Sequence, residues 1–208
     1  MIQFEHLKFS DCKIMPWKNG NGMTREIKIF PKNSSINQND FLWRLSSAEV
    51  RDSGLFSAFP GYQRFLSVLD GKGLELSFEN NKTEPLININ TSNFAEFSGD
   101  EQIFCHLLGD KVVDLNFIYR RDKICASFEI LKSSLNNFTI SCESSDVCIL
   151  FVMAGQIDIL NLSSVIQLDQ FDTLILNNDQ FKPSMSSADI SISAHKNSKY
   201  LLVKLQKR

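Results

Sequence analysis

Short alternating apolar stretches, broken by turn-forming residues, run the length of this chain and admit few folds. Phe41-Leu42-Trp43-Arg44-Leu45-Ser46, Arg64-Phe65-Leu66-Ser67-Val68-Leu69, Ile87-Asn88-Ile89, Cys148-Ile149-Leu150-Phe151-Val152-Met153 and Asp189-Ile190-Ser191-Ile192-Ser193 each read as a strand. Gly, Asn, Asp and Ser separate them, the pattern of an antiparallel sandwich or barrel. No stretch of ten or more residues carries helical periodicity, and the one short helical turn expected is at residues 53–59, ended by Pro60-Gly61. Hydrophobic residues at 43%, with 17 Phe in 208 residues, supply a continuous core and argue against disorder.

A weak internal repeat narrows the choice. Leu66-Ser67-Val68-Leu69-Asp70-Gly71 matches Leu150-Phe151-Val152-Met153-Ala154-Gly155 at an offset of 84 residues. Each is followed by a strand with an acidic centre, Leu74-Glu75-Leu76 and Ile157-Asp158-Ile159, and Phe94-Ala95-Glu96-Phe97 is echoed by Phe171-Asp172-Thr173-Leu174. Chance similarity between two hairpins with glycine turns is the other reading. A duplicated β-barrel also accounts for the later strand in each half. The expected boundary is Arg120-Arg121-Asp122, giving barrels at residues 1–120 and 121–208, with residues 33–40 as an exposed polar loop.

A net charge of −2 without a basic stripe argues against a nucleic-acid partner. Residues 1–6 do not open a signal peptide and no apolar run is long enough to cross a bilayer, so a cytoplasmic protein without a membrane partner is expected. The five cysteines are odd in number and lack metal-type spacing. They read as reduced, mostly buried hydrophobes.

The run Pro16-Trp17-Lys18-Asn19-Gly20-Asn21-Gly22-Met23-Thr24-Arg25-Glu26-Ile27 concentrates an aromatic, two cations and paired glycines. Uninterrupted alternation places Arg25 with Ile27 and Ile29 on the apolar side, where a guanidinium needs an anionic partner. A surface turn with Arg25 paired to a structural carboxylate remains the other reading.

Several blocks together resemble the HutD family of bacterial proteins, which includes the Ves-type members. They are Pro16-Trp17-Lys18-Asn19-Gly20 through Thr24-Arg25-Glu26-Ile27, and Phe41-x-Trp43-Arg44-x-Ser46-x-Ala48-x-Val50 to Phe56-Ser57-x-Phe59-Pro60-Gly61-x-x-Arg64. To these add Leu69-x-Gly71-x-Gly73-Leu74, Phe97-x-Gly99-Asp100, Leu107-Leu108-Gly109, and Asp114-Leu115-Asn116 with Arg120-Arg121. The blocks span most of residues 14–121; beyond them the match is mainly in strand pattern. Leu55, where the family tends to have proline, and Asn21, inside a glycine triplet, are departures in loops. The resemblance implies an all-β, double-stranded β-helix (cupin) fold duplicated as a bicupin. It also implies a regulatory role in histidine utilisation and a small acidic ligand such as urocanate or a formyl- or formiminoglutamate. Ves-type members instead carry a stress-response label.

The residues themselves limit the chemistry. His6, His106 and His195 include no H-x-H pair, so a metal-independent protein without a cofactor is expected, with His106 a hydrogen-bonded core residue. No G-x-S-x-G elbow occurs, and no nucleophile has a neighbouring histidine. Asp110 and Asp114 read as turn-capping carboxylates when taken alone. Anion recognition remains. Arg44 and Arg64, like Arg25, alternate with aliphatic residues, so all three are expected at one cavity in the first barrel. Trp17, Lys18 and Asn19 would form its rim, Trp17 or Trp43 would stack on a flat ligand, and the polar line Asp114, Asn116 and Arg120 would complete the pocket or fix the crossing between barrels. The expected partner is therefore a small-molecule carboxylate. No protein partner is identified, and a homodimer stays open. A hydrolase or isomerase acting on a related amide or acid is the competing reading, and an interaction-only protein is the third.

Overall fold

The computed structural model describes residues 3–17, 22–78, 87–91, 93–132, 137–142, 145–160, 165–177 and 189–208. Short apolar runs cannot satisfy their own main-chain groups as helices, so strand pairing does so. The only helical pieces among the described residues are 3-10 turns at Phe9–Asp11 and Ile36–Gln38. The strands are β1 (Gln3–Leu7), β2 (Lys13–Pro16), β3 (Gly22–Phe30), β4 (Trp43–Val50), β5 (Gly54–Leu55), β6 (Tyr62–Gly71), β7 (Leu74–Phe78), β8 (Ile87–Ile89), β9 (Phe94–Ser98) and β10 (Ile103–Leu107). They continue as β11 (Val112–Arg120), β12 (Ile124–Lys132), β13 (Asn137–Ser141), β14 (Val147–Ala154), β15 (Ile157–Ile159), β16 (Ile166–Leu168), β17 (Thr173–Asn177), β18 (Asp189–Ala194) and β19 (Lys199–Lys207). No described helix is long and apolar enough to cross a membrane.

Two units form. The first, Cys12–Lys123, holds a six-stranded antiparallel sheet in the order β2-β3-β4-β11-β6-β9 and a four-stranded sheet in the order β5-β10-β7-β8. The second, Met1–Asp11 with Ile124–Arg208, holds β1-β17-β14-β19-β12 and β13-β18-β15-β16. Strand for strand, β4-β11-β6-β9 is matched by β12-β19-β14-β17, and β5-β10-β7-β8 by β13-β18-β15-β16. The chain passes repeatedly between the two sheets of each unit, as in a double-stranded β-helix. The 84-residue offset falls on this match: residues 66–71 lie in β6, and residues 150–154 in β14. Gly71 (φ 103) and Gly155 (φ 74) end these strands in conformations that L-residues rarely adopt.

The interior of the second unit is apolar, built on Cys148, Leu150 and Val152 of β14, Leu174 and Leu176 of β17, and Tyr200 and Leu202 of β19. In the first unit apolar clusters around Leu66, Val68, Leu74 and Leu76, and around Phe41, Tyr62 and Ile118, fill only part of the inward face. Its other inward positions are polar.

Several sequence expectations need correction. Residues 3–7 pair with β17, Phe4 opposite Leu176 and His6 opposite Leu174, so the amino-terminal strand lies in the second unit and not in a barrel of residues 1–120. A five-residue strand carries no mark of its distant partner. Residues 53–59 form no helical turn. Gly54–Leu55 pairs with β10, and the Phe56 and Phe59 amides donate to the carbonyls of Ile103 (2.9 Å) and Gly99 (2.7 Å). His106 is exposed, tilted against Phe104 at 4.5 Å between ring centroids. Cys105, Cys142 and Cys148 are buried, Cys12 is half-buried and Cys125 is exposed; all five are free.

Candidate functional site

The site is set out by β4, β11 and β6, adjacent strands of the six-stranded sheet. Alternation sends Trp43, Leu45 and Ser47 of β4 to one face and Arg44, Ser46 and Ala48 to the other. Cross-strand register then arranges the inward residues in three rows: Arg44-Ile118-Arg64, Ser46-Asn116-Leu66 and Ala48-Asp114-Val68. Seven of these nine residues line a cavity of about 670 Å³ in the first unit; Leu66 and Val68 belong to the apolar core. Trp17 from the end of β2, Phe56 and Phe59 from the segment after β5, and Ile36 add apolar walls.

Both arginines are buried, Arg44 at 4% and Arg64 at 5% exposure. Arg44 Nε donates to Glu26 Oε2 (2.8 Å) and Nη1 to Ser46 Oγ (2.9 Å), while Nη2 is buried without a partner. Arg64 is held differently. Its Nη1 donates to the Ser57 carbonyl (3.2 Å), and its guanidinium lies over the rings of Phe56 (5.1 Å), Phe59 (5.5 Å) and Phe97 (5.0 Å). Arg64 Nε is buried and unpartnered. Burial lowers the Arg64 pKa to about 10 against the pull of Asp114, so the group stays cationic at neutral pH.

Asp114 is 3% exposed, and its Oδ1 accepts from the Ala48 amide (3.0 Å). Burial pushes its carboxyl up to about 7, outweighing that amide and the two guanidinium groups. The Asn116 Oδ1 is buried without a donor. Trp17 is fixed by Nε1 donating to Thr24 Oγ1 (2.8 Å), and it packs so closely on Gly22 that a Cβ there would stand 2.8 Å from its ring. Among the described residues of the second unit the equivalent positions are not polar. By the strand match, Arg64, Asn116 and Asp114 correspond to Cys148, Leu202 and Tyr200, all in the apolar cluster.

Trp17, Arg44, Arg64, Asp114 and Asn116 therefore line one cavity. Asp114 caps no turn. Arg25 and Trp43 are absent from its lining. A β-bulge between Glu26 and Lys28 reverses the alternation of β3, so that Ile29 lies opposite Arg44 but Arg25 lies opposite Ser47 on the outer face. Trp43 precedes Arg44 in one strand and so takes the opposite face, buried between Phe30 (5.9 Å) and Phe117 (5.7 Å). Lys18 and Asn19 lie outside the described residues. Sequence reading missed Phe56 and Phe59 as site residues, although both stand in a block quoted for the family resemblance. It also missed Ile36 and Asn37, which look like polar loop and carry no signal. Arg120 pairs with Asp122 (2.9 Å) and does not line the cavity. Among the described residues no group of three or more His, Cys, Asp or Glu side chains is placed to hold a metal ion.

Comparison with known proteins places this geometry. The HutD family profile matches residues 9–197. A Pseudomonas putida protein, described as an uncharacterized 21.2 kDa protein in the hutC 3′ region, is 34% identical over 182 residues, 86% of this chain and 90% of that protein. Protein Ves of Citrobacter koseri is 33% identical over 153 residues, 72% of this chain and 74% of Ves. The structure of HutD from Pseudomonas fluorescens SBW25, solved in a formate condition, matches with a TM-score of 0.79 at 27% identity, covering 99% of this chain and 100% of that one. Escherichia coli YhhW, at 10% identity, TM-score 0.68 and 97% coverage of both chains, shares the cupin fold alone.

Proposed function

Since this chain belongs to the HutD family, we propose that it binds a small carboxylate in the first-unit cavity and acts as a regulatory protein of histidine catabolism. One observation carries the reading: two buried arginines beside the same cavity each keep an N–H without a partner. A buried donor left unmade costs about 1–3 kcal/mol, and a carboxylate has lone pairs enough for both. Asn116 Oδ1 lacks a donor, so an N–H on the ligand, from an amide or an imidazole, has an acceptor there. Trp17, Phe56 and Phe59 give such a ligand apolar walls. The Pseudomonas putida relative in the hutC 3′ region supports the pathway context, and the formate condition of the Pseudomonas fluorescens structure is in keeping with a carboxylate ligand.

Among the described residues the cavity lining contains no Cys, His or Lys, and Ser46 is engaged by Arg44 rather than by a base. That favours binding over nucleophilic catalysis. One observation supports an enzyme: a buried carboxyl titrating near 7 suits general acid–base work on an amide or acid. Calorimetry with urocanate, N-formylglutamate and formate, with chromatography of the recovered ligand, separates the two. Binding with unchanged ligand is expected. Chemical conversion would establish the enzyme, and absence of binding by all three would end the carboxylate reading.

A further inference from the structure

Among the described residues, four charged side chains in or beside the cavity determine what it can accept. Glu26 and Arg44 form a pair at 2.8 Å and cancel. Arg64 rests on a carbonyl and three aromatic rings, with no carboxylate hydrogen-bonded to it among the described contacts. Asp114 stands two rows from the arginines along β11, hydrogen-bonded to one main-chain amide. With Asp114 ionised these four charges sum to zero, and an entering monoanion puts an excess negative charge beside an Asp114 carboxylate that is only 3% exposed. With Asp114 protonated they sum to one positive charge, which matches a monoanion.

We propose that each carboxylate anion entering this cavity brings one proton, which is held on Asp114, so that the complex contains the neutral acid with its O–H as a donor. This rests on the carboxylate reading of the same cavity. The proton comes from solvent and bonds to a carboxylate oxygen of Asp114; no other bond changes. Among the described residues the titratable groups that act on Asp114 are Arg64 on β6, Arg44 on β4 and Cys105 on β10, and Glu26 on β3 is paired with Arg44. Burial raises the Cys105 thiol to about 12, so it adds no charge. Asp114 itself titrates near 7, which brings the protonated form within reach at neutral pH.

The direction of the pH effect follows. A second anion nearby raises the Asp114 pKa further, so protons are taken up on binding above about pH 7. Affinity then falls as pH rises, by up to roughly tenfold per unit. The test is calorimetry with urocanate, which keeps one charge from pH 7 to 9, in phosphate and in Tris buffers whose ionisation heats differ. Uptake approaching one proton at pH 8.5 is expected for the parent protein. Asp114→Asn, which permanently mimics the neutral acid, should bind more tightly than the parent at pH 8.5, with no proton uptake and a flat pH profile. Binding with no uptake or with proton release, or loss of binding in Asp114→Asn, would overturn the inference while leaving the carboxylate reading intact. Release would mean that ionised Asp114 accepts a hydrogen bond from the ligand. If urocanate, formate and N-formylglutamate all fail to bind, both readings fall together.

Discussion

Arg44 shows how a buried cation can be held and still left available. Glu26 takes its Nε and Ser46 its Nη1, but Nη2 stays unpartnered. Glu26→Gln should therefore destabilise the fold by about 1.5–3 kcal/mol in urea titration, the scale of a lost charge-assisted contact. It should also strengthen carboxylate binding, since a competing anion is gone. Reduced affinity in this variant would indicate that Glu26 positions Arg44 rather than competing for it. Arg64→Met keeps an apolar stem among the phenylalanines and should weaken binding about tenfold to a hundredfold, or 1.5–3 kcal/mol, without unfolding. Asp114 makes an opposite prediction for stability. Its folded pKa, about 7, lies above the ordinary carboxylate value of 3.8, so the folded state holds the proton more tightly. Stability from this group therefore increases as pH falls through 7 and levels off below about 4. Asp114→Asn should raise the urea midpoint at pH 8 and lose that advantage near pH 4. Alternation with aliphatic residues made the inward direction of Arg44 and Arg64 legible in sequence, whereas Asp114 taken alone suggested a turn cap. Arg25 was misplaced because a bulge shifts phase without any composition signal.

At the scale of elements, the β2–β3 hairpin brings Trp17 to the cavity, and Gly22 permits its close approach. A Cβ at position 22 would stand 2.5 Å from the Glu49 carbonyl and 2.8 Å from the Trp17 ring. Gly22→Ala should cost about 1–3 kcal/mol and loosen ligand binding as the ring moves away, read by urea titration and tryptophan fluorescence. Gly54 on β5 is the control, with no atom within 4 Å of an added Cβ. Gly54→Ala should stay within about 0.5 kcal/mol of the parent. Equal losses from both would show that the effect is general to glycine and unrelated to the ring. Alternation identified β4, β6 and β14 readily. Residues 53–59 escaped because Leu55, Phe56, Ala58 and Phe59 suggest a helical turn, whereas their fate depends on pairing with β10, nearly fifty residues on.

In the whole molecule one strand order occurs twice with different contents: the first unit keeps charged residues inside, and the second is filled with apolar ones. The repeat at 84 residues made the recurring strand order legible. It could not reveal that the second unit borrows its outermost strand from the amino terminus. β1 covers β17, and the same segment supplies two partners to Asp172, which is only 6% exposed: His6 Nε2 at 2.9 Å and the Phe9 amide at 3.0 Å. The Asp169 amide is a third, at 3.3 Å. Deleting residues 1–11 turns β17 into an edge strand and leaves a buried carboxylate with one of these three contacts. The expected loss is about 2–5 kcal/mol from Asp172 alone, since an uncompensated buried charge is expensive. Hydrogen exchange gives the sharpest readout. Alternate amides of Thr173–Asn177 point toward β1 and should lose protection, while those paired with β14 keep theirs. A His6→Ala variant should lower stability without exposing these amides, which separates the side-chain contact from the strand. If the truncated protein retains full protection across β17, pairing with β1 does not stabilise the second unit, and the division at residue 120 expected from the sequence would describe its folding better than the strand order does.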